Sequence, residues 1–414
     1  MSSIRTTCCV AGGGPAGIVL GYLLARAGIH TVILEKHKDF LRDFRGDTVH
    51  PSTLDVIAEL GLLDDFLKLP HQEVRELHGQ IGSSQVTIAD FSHLPTRCKF
   101  IALMPQWHFL NFLSERGAAF AAFQLLMEAQ VTGLVEADGR VTGVKANTPD
   151  GPLEVMADLV IGADGRHSTV RDCARLQIED LGSPIDVLWL RLSRKPEDAA
   201  ETGGYFNYGR VFVTLDRGDY WQCAFVIRKG ELEDLKQRGL DHFRTQIARI
   251  VPMFQDRVQE LQNWDDIKLL TVAVDRLLQW WKPGLLCIGD AAHAMSPIGG
   301  VGINLAIQDA VAAANILVAP LQQRRIGTAH LDAVQQRRMF PTRVIQRIQV
   351  LVQERVINRV LETDRPLAAP WPVKLFGYFP WLRRIPARVV GVGVRPEHVL
   401  TGVSASSAQQ TSHE

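Results

Sequence analysis

The sequence predicts an α/β protein in which a parallel β-sheet carries an inserted, mostly antiparallel sheet and is followed by a helical segment. Three observations favour this class. Short apolar runs near Thr6, Asp158 and Leu286 each end in a glycine-containing loop, as buried parallel strands do. Residues 185–229 alternate in the manner of half-buried antiparallel strands. Apolar residues at helical spacing return in the last ninety residues.

The bulk composition limits the classes of protein that need to be considered. The chain has 414 residues, 46% of them apolar and 22% charged, which suits one large domain or two closely packed ones. Lys+Arg and Asp+Glu balance at 45 each, so no overall field attracts nucleic acid. The six cysteines lack any metal-binding or disulfide spacing, which favours a reducing cytoplasm and no metal site. We expect no signal peptide and no membrane-spanning helix, because glycines or charges interrupt each apolar run.

The first glycine-rich loop predicts a dinucleotide site. A buried strand over Thr6–Ala11 leads into Gly12-x-Gly14-x-x-Gly17 and an apolar helix, and the next strand ends on Glu35. Such glycines allow a tight turn, close approach to a pyrophosphate and close packing of helix on strand, while the acid accepts hydrogen bonds from a ribose. A glycine-rich turn without a ligand is the alternative, which the strand–turn–helix–strand context disfavours. NAD and FAD both remain open at this point.

Two later loops favour the longer cofactor. Asp164-Gly165 follows a strand predicted over Asp158–Ala163, and Gly289-Asp290 follows another apolar run. The second loop continues through Pro297 and three glycines to a helix predicted to open at Asn304. An NAD dehydrogenase needs only the first loop, whereas the ribityl chain of FAD offers several hydroxyls to carboxylate acceptors. The three loops together therefore indicate FAD.

These three motifs resemble those of class A flavoprotein monooxygenases, the para-hydroxybenzoate hydroxylase family, over roughly the first 320 residues. The resemblance implies a Rossmann-like FAD-binding domain of the glutathione reductase type, discontinuous over 1–75, 100–178 and 270–320. It implies a substrate-binding β-sheet domain over 76–99 and 179–269. A C-terminal helical region over 321–400 would follow, and the polar tail 401–414 is expected to be disordered.

The resemblance also assigns roles to residues of this chain. Glu35 would bind the adenosine ribose and Asp290 the ribityl chain, while Arg45 would meet the pyrophosphate and gate the flavin. The Asp164-Gly165 segment would support the flavin and its reduction by a nicotinamide, and Gln106 would reach the cofactor. The complete predicted cofactor set is Gly12, Gly14, Pro15, Ala16, Gly17, Glu35, Lys36, Arg45, Gln106, Asp164, Gly165, Gly289, Asp290, Pro297, Gly300, Gly302, Ile303 and Asn304.

The implied reaction is hydroxylation of an aromatic or other apolar small molecule. NADPH or NADH would reduce FAD, O2 would add to give a flavin C4a-hydroperoxide, and its terminal oxygen would pass to the substrate. Backbone N–H groups of Gly302, Ile303 and Asn304 would stabilise the reduced flavin. Pro297, Gly299 and Gly300 would leave room for oxygen at the flavin edge.

Three further side chains are catalytic candidates, each with an alternative. Arg45 comes with the resemblance. His50 faces the flavin or only the start of a helix at Pro51. Arg191 contacts the substrate or the flavin edge, or else points outward from its strand. Phe206, Tyr208, Trp221 and Gln222 are weaker candidates in the same strands, and we expect His293 to be structural.

Other activities and partners stay open from the sequence. The alternatives are an FAD-dependent dehydrogenase or reductase, a flavin-dependent halogenase and a flavin-sequestering protein. The sequence lacks the WxWxIP motif of the halogenases, which disfavours that alternative. The aromatic and arginine-rich stretch over 370–399 either covers the substrate pocket, forms a dimer contact or touches a membrane surface. We expect a monomer or homodimer acting on a small molecule.

Overall fold

The structure is a computed structural model that describes residues 2–41, 48–198, 202–363, 365, 367–368 and 370–402. Arg45 and residues 403–414 of the predicted tail lie outside the described residues. The α-helices are α1 Pro15–Arg26, α2 Pro51–Glu59, α3 Leu63–Phe66, α4 Gln106–Ala118, α5 Thr169–Cys173, α6 Leu232–Arg238, α7 Leu240–Ile250, α8 Gly302–Gln322, α9 Thr328–Val352, α10 Asn358–Leu361, α11 Trp371–Tyr378 and α12 Arg384–Gly391.

The strands form two large sheets and two small ones. In chain order they are β1 Ser2–Ala11, β2 Thr31–Leu34, β3 Thr48–Val49, β4 Gln72–Val74, β5 Glu76–Ile81, β6 Ser84–Asp90, β7 Ile101–Leu103, β8 Phe123–Leu126, β9 Gln130–Ala137, β10 Arg140–Thr148, β11 Gly151–Gly162, β12 Ile178–Asp180, β13 Ile185–Ser193, β14 Gly203–Asn207, β15 Arg210–Asp216, β16 Tyr220–Arg228, β17 Lys268–Leu270, β18 Asp275–Leu277, β19 Trp281–Lys282, β20 Leu285–Cys287 and β21 His293–Ala294.

The first sheet has the order β19-β20-β11-β1-β2-β8, with β10 and β9 added through β11. Strands β20, β11, β1, β2 and β8 run parallel, with Cys8 paired to Leu159 on one side and to Thr31 on the other. The central residues of β1, β2, β11 and β20 are buried, as expected for strands covered on both faces, whereas β8 is a partly exposed edge strand. Strand β11 begins at Gly151, earlier than the Asp158 predicted, because its first half pairs with the antiparallel β10. The parallel sheet itself is confirmed.

Helices α1 and α8 pack together against this sheet. Gly21 allows α1 to lie close to β2, since a Cβ at Gly21 would lie 2.3 Å from Ile33 Cδ1. One segment, Ile298–Gln322, is long and apolar enough to cross a membrane, yet most of it is buried inside the protein. It corresponds to α8 with its preceding turn, and it is the central helix of the core.

The second large sheet has the order β17-β13-β16-β15-β14-β5-β6 and is antiparallel except where β14 meets β5. Its strands come from two separate stretches of chain. The alternation predicted for β13 is confirmed: Leu188 and Leu190 pack with Phe225 and Phe243 against α6 and α7, while Val187 faces the opposite side. That opposite face is turned toward the first sheet.

The C-terminal residues are helical, as predicted. Helix α9 accommodates Pro341 in its interior and packs on α8. Helices α11 and α12 lie against β6, at the edge of the second sheet. A Cβ at Gly391 would lie 2.7 Å from Leu94 Cδ1, so α12 sits close to the chain that follows β6.

Candidate functional site

The carboxyl ends of β1, β2 and β11 meet at one edge of the parallel sheet, together with the loop that precedes α8. A cavity of about 690 Å³ extends from this edge to the inner face of the antiparallel sheet. Ligands of open α/β sheets bind at this edge, outside the carboxyl ends of the strands. The three predicted loops therefore converge on one site.

The Gly12–Gly17 loop forms the first wall. Gly12 has φ +107°, and a Cβ there would lie 2.3 Å from the carbonyl oxygen of Ala163. A Cβ at Gly17 would lie 1.9 Å from the carbonyl oxygen of Gly12, so Gly17 lets α1 approach its own strand and does not itself line the cavity. A Cβ at Gly14 would meet nothing within 4 Å. The open space over Gly14 faces the cavity and suits a bulky anion.

Helix α1 begins at Pro15 without a side-chain cap and without an acid in its first turn. Its first N–H groups are therefore available to a ligand, and the helix dipole favours negative charge there. Pro15 and Ala16 both line the cavity. This end of the helix has the properties of a pyrophosphate site.

Glu35 lies at the end of β2, beside the glycine loop. Its Oε2 accepts a hydrogen bond from Gly13 N at 2.9 Å, and its Oε1 accepts one from His37 N at 3.1 Å. These bonds fix a buried carboxylate on the cavity wall, where it can also accept from a ribose hydroxyl. Lys36 follows it on the wall and is exposed.

Asp164 and Asp290 hold their positions differently. Asp164 accepts a short hydrogen bond from Ser168 Oγ and a second from Val170 N at 3.1 Å, so it fixes the start of α5. Burial raises the pKa of Asp164 above its ordinary value. Asp290 is half-buried in the cavity with Arg166 Nη2 3.7 Å away, which leaves carboxylate oxygen free to accept from a ligand. Gly165 also lines the cavity.

The loop before α8 forms the next part of the wall, through Pro297, Gly299 and Gly300. Thr48 Oγ1 donates a hydrogen bond to Gly300 O at 3.1 Å, which fixes this loop against β3. Helix α8 begins at Gly302 without a side-chain cap, two residues earlier than predicted. Gly302 and Ile303 line the cavity, and because the first N–H groups of a helix have no intrahelical partner they are available to a ligand there.

Several predicted residues support the cavity from outside. The Asn304 side chain turns away and accepts hydrogen bonds from Ser52 Oγ at 3.0 Å and Thr53 Oγ1 at 2.7 Å, which joins α2 to α8. Gly289 N donates to Asp309 Oδ2 at 3.1 Å and also lies behind the wall. Gln106, by contrast, lines the cavity as the first residue of α4.

The structure does not bring two of the three catalytic candidates to the cavity. His50 is fully buried with Nδ1 2.7 Å from Val390 O, and it lies outside the wall. Burial lowers the pKa of His50. Arg191 lies at the end of β13, beyond the cavity, with its guanidinium 3.8 Å from the ring centre of Tyr220 and 59% of its side chain exposed. Neither side chain lines the cavity, so a catalytic role for His50 or Arg191 stays a prediction, and Arg45 lies outside the described residues.

A buried ionic cluster lies behind the Gly289-Asp290 loop. His293 Nε2 is 2.6 Å from Asp309 Oδ2, and Arg338 Nε donates to Asp309 Oδ1 at 2.9 Å. The same Arg338 lies 3.3 Å from Glu397, near the end of the described chain. The burial of Asp309 alone would raise its pKa, but His293 and Arg338 together hold that pKa below its usual value. His293 thus has a structural position, away from the cavity wall.

The antiparallel sheet contributes a wall that is largely apolar. It presents Val187, Trp189, Phe206, Val213 and Ala224, among others, toward the cavity. Gln222 is the polar exception on β16. It was only a weak candidate from the sequence pattern, because alternation alone does not tell which face of a strand meets a ligand. Of the other weak candidates Phe206 lines the cavity, Trp221 packs in the core on the opposite face, and Tyr208 lies outside the wall.

The donor set fits FAD. An uncapped helix start and an open glycine suit a pyrophosphate, and Glu35 suits the ribose at one end of the cavity. Asp290 offers an acceptor to a polyol chain further along, and the uncapped start of α8 suits a ring that becomes anionic. Fold and site together define a flavin-binding oxidoreductase.

Comparison with known proteins identifies the family. A sequence model described as FAD binding domain matches residues 5–348. The 6-methylpretetramide 4-monooxygenase of Streptomyces rimosus is 35% identical over 391 residues, which cover 92% of each chain. The chain belongs to the class A flavoprotein monooxygenases, the FAD-dependent aromatic hydroxylases, which use NAD(P)H and O2.

A further relative agrees with this assignment, and solved structures share the fold. The 12-dehydrotetracycline 5-monooxygenase/anhydrotetracycline 6-monooxygenase of Streptomyces rimosus is 28% identical over 316 residues, covering 73% of this chain and 60% of that one. The fold resembles p-nitrophenol 4-monooxygenase PnpA from Pseudomonas putida, with TM-score 0.76, 20% identity, and coverage of 95% and 100%. It also resembles PqsL from Pseudomonas aeruginosa, with TM-score 0.74, 22% identity, and coverage of 86% and 98%.

Proposed function

We propose that this monooxygenase hydroxylates a fused-ring phenolic compound of the tetracycline-precursor type. The observation that carries the proposal is the broad apolar wall of the antiparallel sheet, which lines the same cavity as the loop from Pro297 to Gly300. The names of two relatives, a 6-methylpretetramide and an anhydrotetracycline monooxygenase, point to the same substrate class.

The wall suits a flat, extended ring system. Val187, Val213 and Ala224 lie on neighbouring strands, and their register places Val213 and Ala224 side by side. Small and β-branched side chains leave a smooth surface on which several fused rings can lie. Burial of aromatic surface contributes roughly 25 cal/mol per Å², so a fused ring system gains more from this wall than a single ring does.

The residues of the first sheet would bind the cofactor. Bound FAD supplies electron transfer from NAD(P)H to O2 and delivery of one oxygen atom to the substrate ring. Glu35 would hold the ribose, the start of α1 would hold the pyrophosphate, and Asp290 would hold the ribityl chain. The N–H groups at Gly302 and Ile303 stabilise negative charge on the reduced ring. The apolar wall excludes water from the reacting ring.

A substrate panel tests the proposal. The purified protein should contain FAD, and NADPH or NADH oxidation with oxygen uptake should accelerate more with 6-methylpretetramide or anhydrotetracycline than with para-nitrophenol. Ala224→Leu adds bulk to the wall and should raise KM for the fused-ring compounds more than for para-nitrophenol. Ala137→Leu, at an exposed position of β9, is the matched control. Stimulation by single-ring phenols alone would contradict the proposed substrate class.

We further propose that the enzyme works in the cytoplasm and touches anionic lipid through the surface formed by α11, α12 and the turn between them. Trp371 and Tyr378 are 73% and 76% exposed there, and Trp381 is exposed as well. Residues 370–396 include five arginine or lysine residues and no acid. Exposed aromatic side chains together with an excess of positively charged residues suit an anionic headgroup layer.

Vesicle sedimentation tests this lipid contact. The protein should bind vesicles of phosphatidylglycerol and phosphatidylcholine but not vesicles of phosphatidylcholine alone. A Trp371→Ser/Trp381→Ser variant should lose that binding, while Leu278→Ser, an exposed leucine elsewhere, should keep it. A homodimer in light scattering that the tryptophan variant dissociates would show instead that a second copy covers this surface.

A further inference from the structure

On β13, β15 and β16 a single polar side chain interrupts the apolar wall that these strands present to the cavity. Gln222 lies on β16 between Leu215 of β15 and Arg191 of β13, on the face that carries Ala224. It lines the cavity and is only 3% exposed. A buried amide is costly unless its hydrogen bonds are made, so the bonding of Gln222 defines what it can bind.

The orientation of this amide is fixed by a neighbouring cation. Arg217 Nε donates a hydrogen bond to Gln222 Oε1 at 3.0 Å. A guanidinium has no acceptor, so only the amide oxygen can face Arg217. The NH2 end is left on the other side, and no described residue accepts a hydrogen bond from it. Gln222 therefore presents a donor, and not an acceptor, to the cavity.

A second donor lies at the same end of the wall. Thr202 lines the cavity and its Oγ1 accepts a hydrogen bond from Asp216 N at 3.2 Å, which leaves the hydroxyl proton to donate. Asp216 precedes Arg217 and pairs with Arg194 at 3.0 Å, so its carboxylate does not compete for these donors. With Arg217 behind them, the two donors favour an oxygen that carries negative or partial negative charge.

We propose that Gln222 is a specificity-determining residue that binds a phenolate or carbonyl oxygen of the substrate, and that Arg217 is the positioning residue that orients it. This inference rests on the proposed function. It places an oxygen-bearing edge of the ring system against Gln222 and Thr202, and the unsubstituted rings against Val213 and Ala224. A ligand that lacks the oxygen leaves a buried donor unpaired and is rejected for that reason.

Equilibrium binding to the oxidised enzyme tests the inference without turnover. The probe is anhydrotetracycline, and its Kd is measured from the change in flavin absorbance. Gln222→Met keeps the length of the side chain but removes the donor, and it should raise Kd about tenfold. Gln246→Met is the matched control, because Gln246 accepts the same kind of bond from Arg210 Nε at 2.8 Å but lies on α7, outside the cavity wall.

Two further measurements separate a specific role from a structural one. An anhydrotetracycline analogue that lacks one phenolic or keto oxygen should bind the wild-type enzyme about tenfold more weakly, and it should not distinguish wild type from Gln222→Met. Arg217→Met should raise KM with a smaller change in kcat, because the amide can then rotate. FAD affinity should stay at the wild-type value in Gln222→Met, and its thermal stability should fall no further than that of Gln246→Met, which loses the same kind of arginine–glutamine bond.

These binding measurements distinguish a failure of the role proposed for Gln222 from a failure of the proposed substrate class. If Gln222→Met binds both probes as the wild type does, Gln222 is not the specificity residue, and the proposed substrate class still stands. If every single-oxygen analogue binds as well as the parent, the inference fails in the same way. If the wild-type enzyme binds no fused-ring phenol but hydroxylates para-nitrophenol, the proposed function itself fails.

Discussion

Replacement of Gly17 by alanine should weaken FAD binding through the backbone of the glycine loop. A Cβ at Gly17 would lie 1.9 Å from Gly12 O and 3.2 Å from Val10 Cγ1. Real Cβ contacts essentially never fall below 3.0 Å, so the helix start and the loop must separate by about 1.1 Å or more. The atoms that must move are backbone atoms, which cannot rotate out of the way as a side chain can.

The size of the effect follows from two contributions. Overpacking of this kind costs about 1–3 kcal/mol of folding free energy. Displacement of one loop N–H from a charged phosphate oxygen costs about 1.5–3 kcal/mol more in the complex, or on the order of 10- to 100-fold in FAD affinity. Thermal unfolding of the apoprotein measures the first contribution, and titration of the apoprotein with FAD measures the second.

Two alanine substitutions serve as controls. A Cβ at Gly14 meets nothing within 4 Å of protein, so Gly14→Ala should leave the apoprotein stable and weaken only FAD binding. Gly133→Ala, on β9 and equally free of contacts, should change neither quantity. If Gly17→Ala bound FAD as the wild type does and unfolded at the same temperature, the account of the loop would be refuted.

Three other predictions concern stability and reactivity. Asp309→Ala leaves Arg338 and His293 buried without their acid, so it should lower the free energy of urea unfolding by about 3–5 kcal/mol. The control Lys68→Ala, in an exposed ion pair, should lower it by at most about 1 kcal/mol. Equal losses in the two variants would contradict a stabilising role for the buried ionic cluster. Hydrogen bonds from Arg257 hold the pKa of Asp198 well below its ordinary value of 3.8, so the resulting stability is present above about pH 4 and is lost as the pH falls through the folded pKa. Asp198→Asn should therefore be less stable at neutral pH and show a flatter acid limb, and an unchanged limb in acid denaturation would count against the pairing. Five of the six cysteines are buried, and burial raises the pKa of the Cys9 thiol to about 12. A thiol reagent should therefore modify Cys173 alone in the native protein and all six cysteines after unfolding. Rapid modification of a second thiol in the native protein would disprove this burial.

The glycine loop and the acid at the carboxyl-end edge of the parallel sheet were predictable because the residues of this motif lie close together in the sequence. The spacing of Gly12, Gly14 and Gly17 and the acid Glu35 at the end of the next strand lie within 24 residues of chain. Each demands a backbone geometry or a charge that few other residues supply. The alternation of β13, β15 and β16 was equally local, and it located the wall without showing which polar residue on it meets the cavity.

The remaining assignments needed contacts between distant segments. His50 looked like a flavin neighbour because it follows Arg45 closely, but its partner is the carbonyl of Val390, 340 residues away. Asn304 binds side chains of α2, 251 and 252 residues earlier. The role of Gln222 depends on the side of its amide that Arg217 occupies, which no periodicity encodes. A hydrogen-bond partner this far away in the sequence cannot be predicted from the sequence pattern, even when the residue itself is recognised as a candidate.

We expect this chain to transfer one atom of O2 to an aromatic ring bound against the antiparallel sheet. The most direct measurement is turnover of 6-methylpretetramide or anhydrotetracycline with NAD(P)H under ¹⁸O2, followed by mass spectrometry of the product. We expect one ¹⁸O atom per product molecule, with the second oxygen atom released as water and one NAD(P)H consumed. A product labelled from H2¹⁸O, or NAD(P)H oxidation that yields only hydrogen peroxide with every fused-ring phenol tested, would contradict the account.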